Sequence, residues 1–167
     1  GITQRIGASS VEILHEGKMR FITFIDTPGH EAFSQMRSRG ATVADVGLLI
    51  VSAVDGVMPQ TRESISMLKQ SNIPFIVVLT KADMDTAIPE KVKQQLMKEE
   101  VLLEGLGGDV PVIEVSAKTN LRIKELLDLI LLVYDLHQKS GVGENEALEA
   151  IVIESRLDQK AGPRATV

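Results

Sequence analysis

The sequence contains no cysteine, which excludes disulfide bonds and thiolate metal sites. It contains no apolar run long enough to span a bilayer, so no membrane partner is expected. It also has no excess of basic residues, because 18 Lys and Arg face 23 Asp and Glu and the net charge is −5. A chain of this charge does not coat nucleic acid by charge alone. We therefore expect no DNA partner, and we expect any contact with RNA to be local.

The 167 residues, of which 44% are hydrophobic, supply enough apolar material for the core of one α/β domain. Three continuous apolar runs have the pattern of strands buried on both faces of a parallel sheet: 46–52, 74–80 and a weaker run at 110–116. Helical spacing of apolar residues occurs around these runs, at Ala32, Phe33 and Met36, at Ile65 and Leu68 after Pro59, at Ile88, Val92 and Leu96, and over 123–134. The alternation predicts a doubly wound, mostly parallel sheet.

The segment Asp26-Thr27-Pro28-Gly29-His30 directly follows an apolar strand predicted over residues 21–25. A carboxylate that leaves a buried strand is a ligand of the kind that Mg²⁺ prefers. The glycine that follows allows a backbone amide to approach an anion closely. The segment therefore predicts a site for Mg²⁺ and a terminal phosphate.

Two further polar segments follow apolar strands, namely Thr80-Lys81-Ala82-Asp83 and Ser116-Ala117-Lys118. Ligands of doubly wound sheets bind outside the carboxyl ends of the strands. Because Asp26, Thr80 and Ser116 all fall at such ends, we expect the three segments to converge in space.

Together with Gly1-Ile2-Thr3-Gln4 at the start of the chain, these segments occur in the order found in translational GTPases. The chain resembles the G domain of that family, and most closely bacterial-type translation initiation factor two. The resemblance implies a fold of the P-loop GTPase type, with GTP and Mg²⁺ as ligands. The phosphate-loop motif Gly-x-x-x-x-Gly-Lys-Ser/Thr does not occur in the sequence. We therefore expect a fragment that lacks the first strand and the phosphate loop and is inactive by itself.

The resemblance also implies roles for residues on the phosphate side of the site. Thr3 would ligate Mg²⁺ and contact the γ-phosphate, and Asp26 would hold Mg²⁺ through water. Gly29, next to Pro28 in the binding segment, would donate its amide to the γ-phosphate. His30 would position the hydrolytic water and is the predicted catalytic residue.

The guanine side of the implied site rests on the other two segments. The Asp83 carboxylate would accept two hydrogen bonds from guanine, and the Lys81 stem would cover the ring face. Ser116, Ala117 and Lys118 would complete the pocket, with the Ala117 amide donating to guanine O6. The family usually has Asn where this chain has Thr80, which puts the contacts to guanine N7 and to the phosphate loop in doubt.

The domain organisation predicted from the sequence has three parts. Residues 1–139 are the GTPase domain and residues 140–147 are a flexible polar linker. Residues 148–167 are predicted to form the first hairpin of a β-barrel domain, with strands from Ala150 to Leu157 and from Ala165 to Val167 around a turn at Asp158 to Pro163.

The implied partners are the small and large ribosomal subunits with their RNA, and initiator tRNA through domains absent from these residues. Arg37 and Arg39, on the helix predicted after Asp26, are candidates for contact with ribosomal RNA or for surface ion pairs. Thr80 and the segment 107–110 favour an organellar copy in the mitochondrial matrix, with a bacterial-type cytoplasm as the alternative.

Two other functions stay open at this point. One is a different translational GTPase, an elongation or selenocysteine factor. The other is a nucleotide-incompetent interaction fragment, which the missing phosphate loop makes a serious alternative. A phosphate loop encoded upstream of Gly1 would favour the enzyme.

Overall fold

The computed structural model describes residues 7–26, 44–137, 154–158 and 162–166. In chain order their elements are β1 (Gly7–His15), β2 (Lys18–Asp26), β3 (Gly47–Ser52), α1 (Pro59–Ser71), β4 (Phe75–Thr80), α2 (Pro89–Lys98), β5 (Val112–Glu114), α3 (Ile123–His137), β6 (Glu154–Asp158) and β7 (Gly162–Thr166). One compact unit contains β3, β4 and β5 with the three helices, and the other contains the four remaining strands.

The central sheet has the strand order β3-β4-β5, and both pairs are parallel. Its register aligns Ser52 with Thr80, so the two strands end side by side. The sequence predicted these strands, although β5 is shorter than the run at 110–116 and ends at Glu114. Within the described ranges, no further strand pairs with the outer edge of β3.

The central strand β4 is buried on both faces. Its Val77 and Leu79 share one face with Leu49 and Val51 of β3, and this face packs in one cluster with α1 and α2. The helices contribute Ile65, Leu68, Val92 and Leu96 to the cluster. On the opposite face Ile76, Val78 and Ile113 are buried as well, whereas Ile50 of the edge strand β3 is 55% exposed. Burial on both faces explains why β4 reads as a continuous apolar run.

The three helices begin and end where the sequence indicates. Pro59 and Pro89 stand at the first turns of α1 and α2, where a missing amide costs no hydrogen bond. Asn72 ends α1 in the left-handed conformation, with φ 54°. Helix α3 buries Ile130 and Val133 of the predicted apolar stripe, and it also buries Leu131, which the stripe did not include. No helix among the described residues is long and apolar enough to cross a membrane.

Strands β1 and β2 form an antiparallel hairpin that runs in register from Gly7↔Asp26 to His15↔Lys18. Glu16 and Gly17 form its turn, with φ of 48° and 76°. Two consecutive positive φ values are typical of the tight hairpin turns that match strand twist. The sequence predicted β2 but missed β1, because the polar residues of β1 interrupt its apolar pattern.

Strands β6 and β7 form the hairpin predicted near the end of the chain. Asp158 pairs with Gly162 and Leu157 with Pro163, so β7 begins three residues before the predicted Ala165 and the turn is shorter than predicted. Residues 140–147 lie outside the described residues. That this hairpin opens a β-barrel domain stays a prediction.

Candidate functional site

Thr80 ends β4 at the carboxyl edge of the parallel sheet. The Ala53 amide, just after β3, donates to the Thr80 carbonyl at 2.8 Å. The Thr80 hydroxyl donates to the Val51 carbonyl at 3.4 Å, near the upper limit for a hydrogen bond. The Thr80 side chain therefore points toward the neighbouring strand. The backbone bond and the side-chain bond of Thr80 together join the end of β4 to β3 and the residue that follows it.

Lys81 follows in the left-handed conformation, with φ 59°. Its Nζ lies 2.8 Å from Asp55 Oδ2, and both side chains are about half exposed, at 54% and 50%. The hydrogen bond from Lys81, with a second from Ser52, holds the pKa of Asp55 below its usual value. The lysine stem therefore runs from the end of β4 to the loop after β3.

Asp83 and Ser116 meet at the same edge of the sheet. Hydrogen bonding by the Ser116 hydroxyl is the main cause that lowers the pKa of the Asp83 carboxyl. The charge of Lys118 adds to the lowering, while partial desolvation opposes it. Ser116 is almost fully buried, with 1% exposed. The Ala82 amide also donates to the Val115 carbonyl at 3.1 Å, so backbone and side chain join the two segments.

A closed turn presents the residues after Ser116. The Ser116 amide donates to the Leu121 carbonyl at 3.1 Å, and the Thr119 amide donates to Ser116 Oγ at 3.2 Å. Ala117 and Lys118 are exposed on this turn. An ionised carboxylate, a buried hydroxyl that orients it and an exposed turn thus lie together, an arrangement suited to a planar ligand with two adjacent N–H donors.

The predicted site residues fall into three groups. The structure brings the segment from Thr80 to Asp83 together with the segment from Ser116 to Lys118. Asp26 is exposed at the end of β2, where it pairs with Gly7 in the other compact unit. Thr3, Pro28, Gly29, His30, Arg37 and Arg39 lie outside the described residues. Convergence of Asp26 with the other two segments stays a prediction.

Sequence analysis missed Asp55 and Ser52 as residues near the site. The Ser52 hydroxyl accepts hydrogen bonds from the amides of Val54 and Asp55, at 3.3 and 3.2 Å. An available signal was the Asp55-Gly56 pair soon after a buried strand, which is typical of a tight turn at the carboxyl edge of a sheet. Among the residues that the structure describes, no group of three or more His, Cys, Asp or Glu residues is arranged to hold a metal ion.

The family model of the elongation factor Tu GTP binding domain matches residues 1–135 of this chain. The chain belongs to that family. Its fold is accordingly the G domain that the sequence predicted, and the site described above lies within the matched residues.

Similar proteins carry related names. Translation initiation factor IF-2 of Roseiflexus sp. strain RS-1 is 51% identical over all 167 residues, which are 22% of that protein. Among solved structures, GDP-bound aIF5B from Aeropyrum pernix has a TM-score of 0.68 and 29% identity, covering 99% of this chain and 36% of that one. Translation elongation factor SelB from Methanococcus maripaludis, in its apo form, has a TM-score of 0.66 and 27% identity, covering 99% of this chain and 35% of that one. These likenesses confirm the resemblance to translational GTPases, and the first confirms the resemblance to initiation factor two. The chain spans about a fifth of the length of the curated relatives it matches.

Proposed function

We propose that these residues belong to a protein that binds GTP at the carboxyl edge of the parallel sheet and hydrolyses it, with Mg²⁺, during translation initiation. The observation that carries the proposal is that the two segments which the sequence assigns to guanine recognition meet: the Ala82 amide donates to the Val115 carbonyl at 3.1 Å, and the Ser116 hydroxyl lowers the pKa of Asp83. Membership of a GTP-binding family supports the nucleotide. The name of the relative at 51% identity supports the process.

Guanine suits this site because it presents two adjacent donors, the N1–H group and the exocyclic amine. A carboxylate with a lowered pKa is ionised at neutral pH and acts only as an acceptor, so Asp83 can receive both donors. Ser116 fixes the orientation of the carboxylate by donating to it from a buried position. Adenine presents an acceptor at N1 and would leave the carboxylate unsatisfied.

The phosphate side of the proposal rests on sequence and family. Thr3 and Asp26 would hold Mg²⁺, Gly29 would donate its amide to the γ-phosphate, and His30 would position the attacking water. The bound ion would neutralise charge that develops on the phosphates. The motif Gly-x-x-x-x-Gly-Lys-Ser/Thr does not occur in these residues, so we propose that the 167 residues alone bind GTP weakly and are inactive.

The wider partners are proposals that follow from the family. A translation initiation factor acts with the ribosomal subunits, and initiator tRNA would contact domains outside these residues. We propose the mitochondrial matrix as the compartment, on the strength of Thr80 and residues 107–110, with a bacterial-type cytoplasm as the alternative. A second candidate function, an elongation factor for selenocysteine, is favoured only by the similarity to SelB at 27% identity.

The test of the proposal is base specificity in the full-length protein. Asp83→Asn replaces an acceptor by an amide that can donate to the 2-oxo group of xanthine, so XTP should replace GTP as the preferred nucleotide. We expect the ratio of GTP to XTP affinity, measured by competition binding, to fall by at least about a hundredfold.

Asp85→Asn is the matched control, because Asp85 is an exposed aspartate on the same loop and its loss changes net charge equally. That variant should keep the preference for GTP. If Asp83→Asn also keeps it, Asp83 does not read the base and the proposed site is wrong.

A further inference from the structure

The ion pair between Lys81 and Asp55 joins the guanine-recognition segment to a loop to which sequence analysis gave no role. Lys81 lies at the end of β4 and Asp55 lies on the turn after β3, yet their charged atoms are 2.8 Å apart. The Ser52 hydroxyl accepts from the Asp55 amide at 3.2 Å and helps to lower the pKa of the Asp55 carboxyl. Asp55 is therefore held by its own turn while its carboxylate holds the lysine.

Hydrogen bonds on several sides hold the turn that carries Asp55. The Gly56 amide donates to the Ser52 carbonyl at 2.9 Å, and the Val57 amide donates to Gln95 Oε1 of α2 at 3.0 Å. Ala53 donates to the Thr80 carbonyl and accepts from the Ile88 amide, at 2.8 and 2.9 Å. The turn is thus tied both to β4 and to the loop that leads into α2.

Gly56 shows how closely this turn fits its neighbour. Its φ of 77° lies in the left-handed region, and a Cβ atom built there would collide with Gln95 Oε1. Only glycine adopts this backbone conformation readily and also leaves the Gln95 side chain in its place. Asp55 is thus anchored on a fixed turn, whereas Lys81 has a long side chain that would otherwise sample many rotamers.

We propose that Asp55 is a positioning residue for nucleotide binding, which pins the Lys81 ammonium so that the lysine stem lies ready to cover the face of the guanine ring. The inference rests on the proposed function, because that function supplies the guanine ring that Lys81 would cover. Ordering the lysine stem before the ligand arrives removes an entropy cost that binding would otherwise include.

An exposed ion pair stabilises a folded protein only slightly. A role in positioning should therefore appear in nucleotide affinity and in dissociation rate, with little change in the stability of the domain. It should also depend on Lys81, because Asp55 acts through the lysine ammonium. These two expectations separate positioning from general stabilisation.

The experiment is a double-mutant cycle in the full-length protein, read by binding of a fluorescent GDP derivative. Asp55→Asn should weaken binding by about two- to fivefold, in proportion to the small worth of an exposed pair. Asp55→Glu should recover part of the loss, and Asp85→Asn should change nothing. Lys81→Met keeps an apolar stem but removes the ammonium, so adding Asp55→Asn to that variant should have no further effect.

Two results would overturn the inference. Tighter binding by Asp55→Asn would show that Asp55 draws Lys81 away from the ligand. An equal loss in the wild-type and Lys81→Met backgrounds would show that Asp55 acts independently of the lysine.

A readout without nucleotide separates this inference from the proposed function. The Asp55 carboxyl, followed by NMR in the nucleotide-free protein, should have a low pKa that rises toward its ordinary value in Lys81→Met. An unchanged pKa would mean that the ion pair does not form in solution, and the inference would be wrong. If the pKa rises but the wild-type protein binds no GTP, the pairing is real and the proposed function is what fails.

Discussion

The parallel sheet and the β1–β2 hairpin contain similar apolar residues but differ in how far these residues are buried. In the sheet, Ile76 and Val77 are consecutive and both are fully buried, because each face is covered. In the hairpin, Ile22 is buried, whereas Leu14, Met19 and Phe21 share the other face and are 63%, 54% and 70% exposed. A strand that is buried on both faces reads as a continuous run, whereas one covered on a single face has to alternate.

The difference extends to the residues that we assign to base reading and to Mg²⁺. Thr80, Asp83 and Ser116 lie at the edge of the sheet, and hydrogen bonds from neighbouring strands and turns fix them. Asp26 is the last residue of β2, and its partner in the register of the hairpin is Gly7. The base-reading side thus belongs to a well-packed core, while the residue assigned to Mg²⁺ belongs to an element with one uncovered apolar face.

The largest expected effect tests this difference in packing. Leu79 of β4 is fully buried and Leu14 of β1 is largely exposed, so the same truncation to alanine should have unequal costs. We expect Leu79→Ala to lower the free energy of unfolding by about 2–5 kcal/mol, because it leaves a cavity. Leu14→Ala should change it by less than about 0.5 kcal/mol. Amide hydrogen exchange of β4 and β2 in the full-length protein measures both.

A similar loss from Leu14→Ala would mean that another part of the protein covers this face of the hairpin.

The next effect separates base reading from chemistry. His30 belongs to the segment after the hairpin, and we assign it to the attacking water. His30→Ala should reduce ribosome-stimulated GTP hydrolysis by about a hundredfold, the usual worth of a positioned catalytic group, while GTP affinity stays nearly intact. Single-turnover hydrolysis and equilibrium binding measure the two quantities. Equal loss of binding and turnover would make His30 structural.

The smallest effect concerns the hydrogen bond that orients Asp83. Ser116→Ala removes the main cause of the low Asp83 pKa, so this pKa should rise toward the ordinary value of 3.8. A carboxyl with a lowered folded-state pKa stabilises the fold above its unfolded pKa and loses that contribution as pH falls through the folded value. The variant should therefore lose less stability than the wild type on acidification below pH 3.8.

An NMR titration of the Asp83 carboxyl and acid unfolding together test this expectation. Thr119 also bonds to Ser116 Oγ, so Thr119→Ala, which keeps the Thr119 amide donor, is the control for changes on the turn. An unchanged Asp83 pKa in Ser116→Ala would mean that Ser116 does not lower it, and that the backbone hydrogen bond of Asp83 and the charge of Lys118 do.

Much of the fold followed from sequence because its signals are local. Continuous apolar runs marked β3 and β4, Pro59 before Ile65 and Leu68 marked α1, and four-residue spacing of apolar residues marked α2. Strand β1 was missed, since Ser9, Ser10 and Glu12 dilute its apolar residues and only pairing with β2 reveals it. The β6–β7 turn was predicted too long, because Pro163 suggests a turn although it pairs within the hairpin.

The candidate site divides in the same way. Sequence by itself determined the chemistry-bearing segments, since a motif after an apolar strand carries both residue type and place at a sheet edge. Only the tertiary structure decided that Ser116 lowers the pKa of Asp83 and that Asp55 holds Lys81, because these pairs of residues are 33 and 26 positions apart in the chain. Residue order fixes which groups are available, and strand pairing fixes which of them meet.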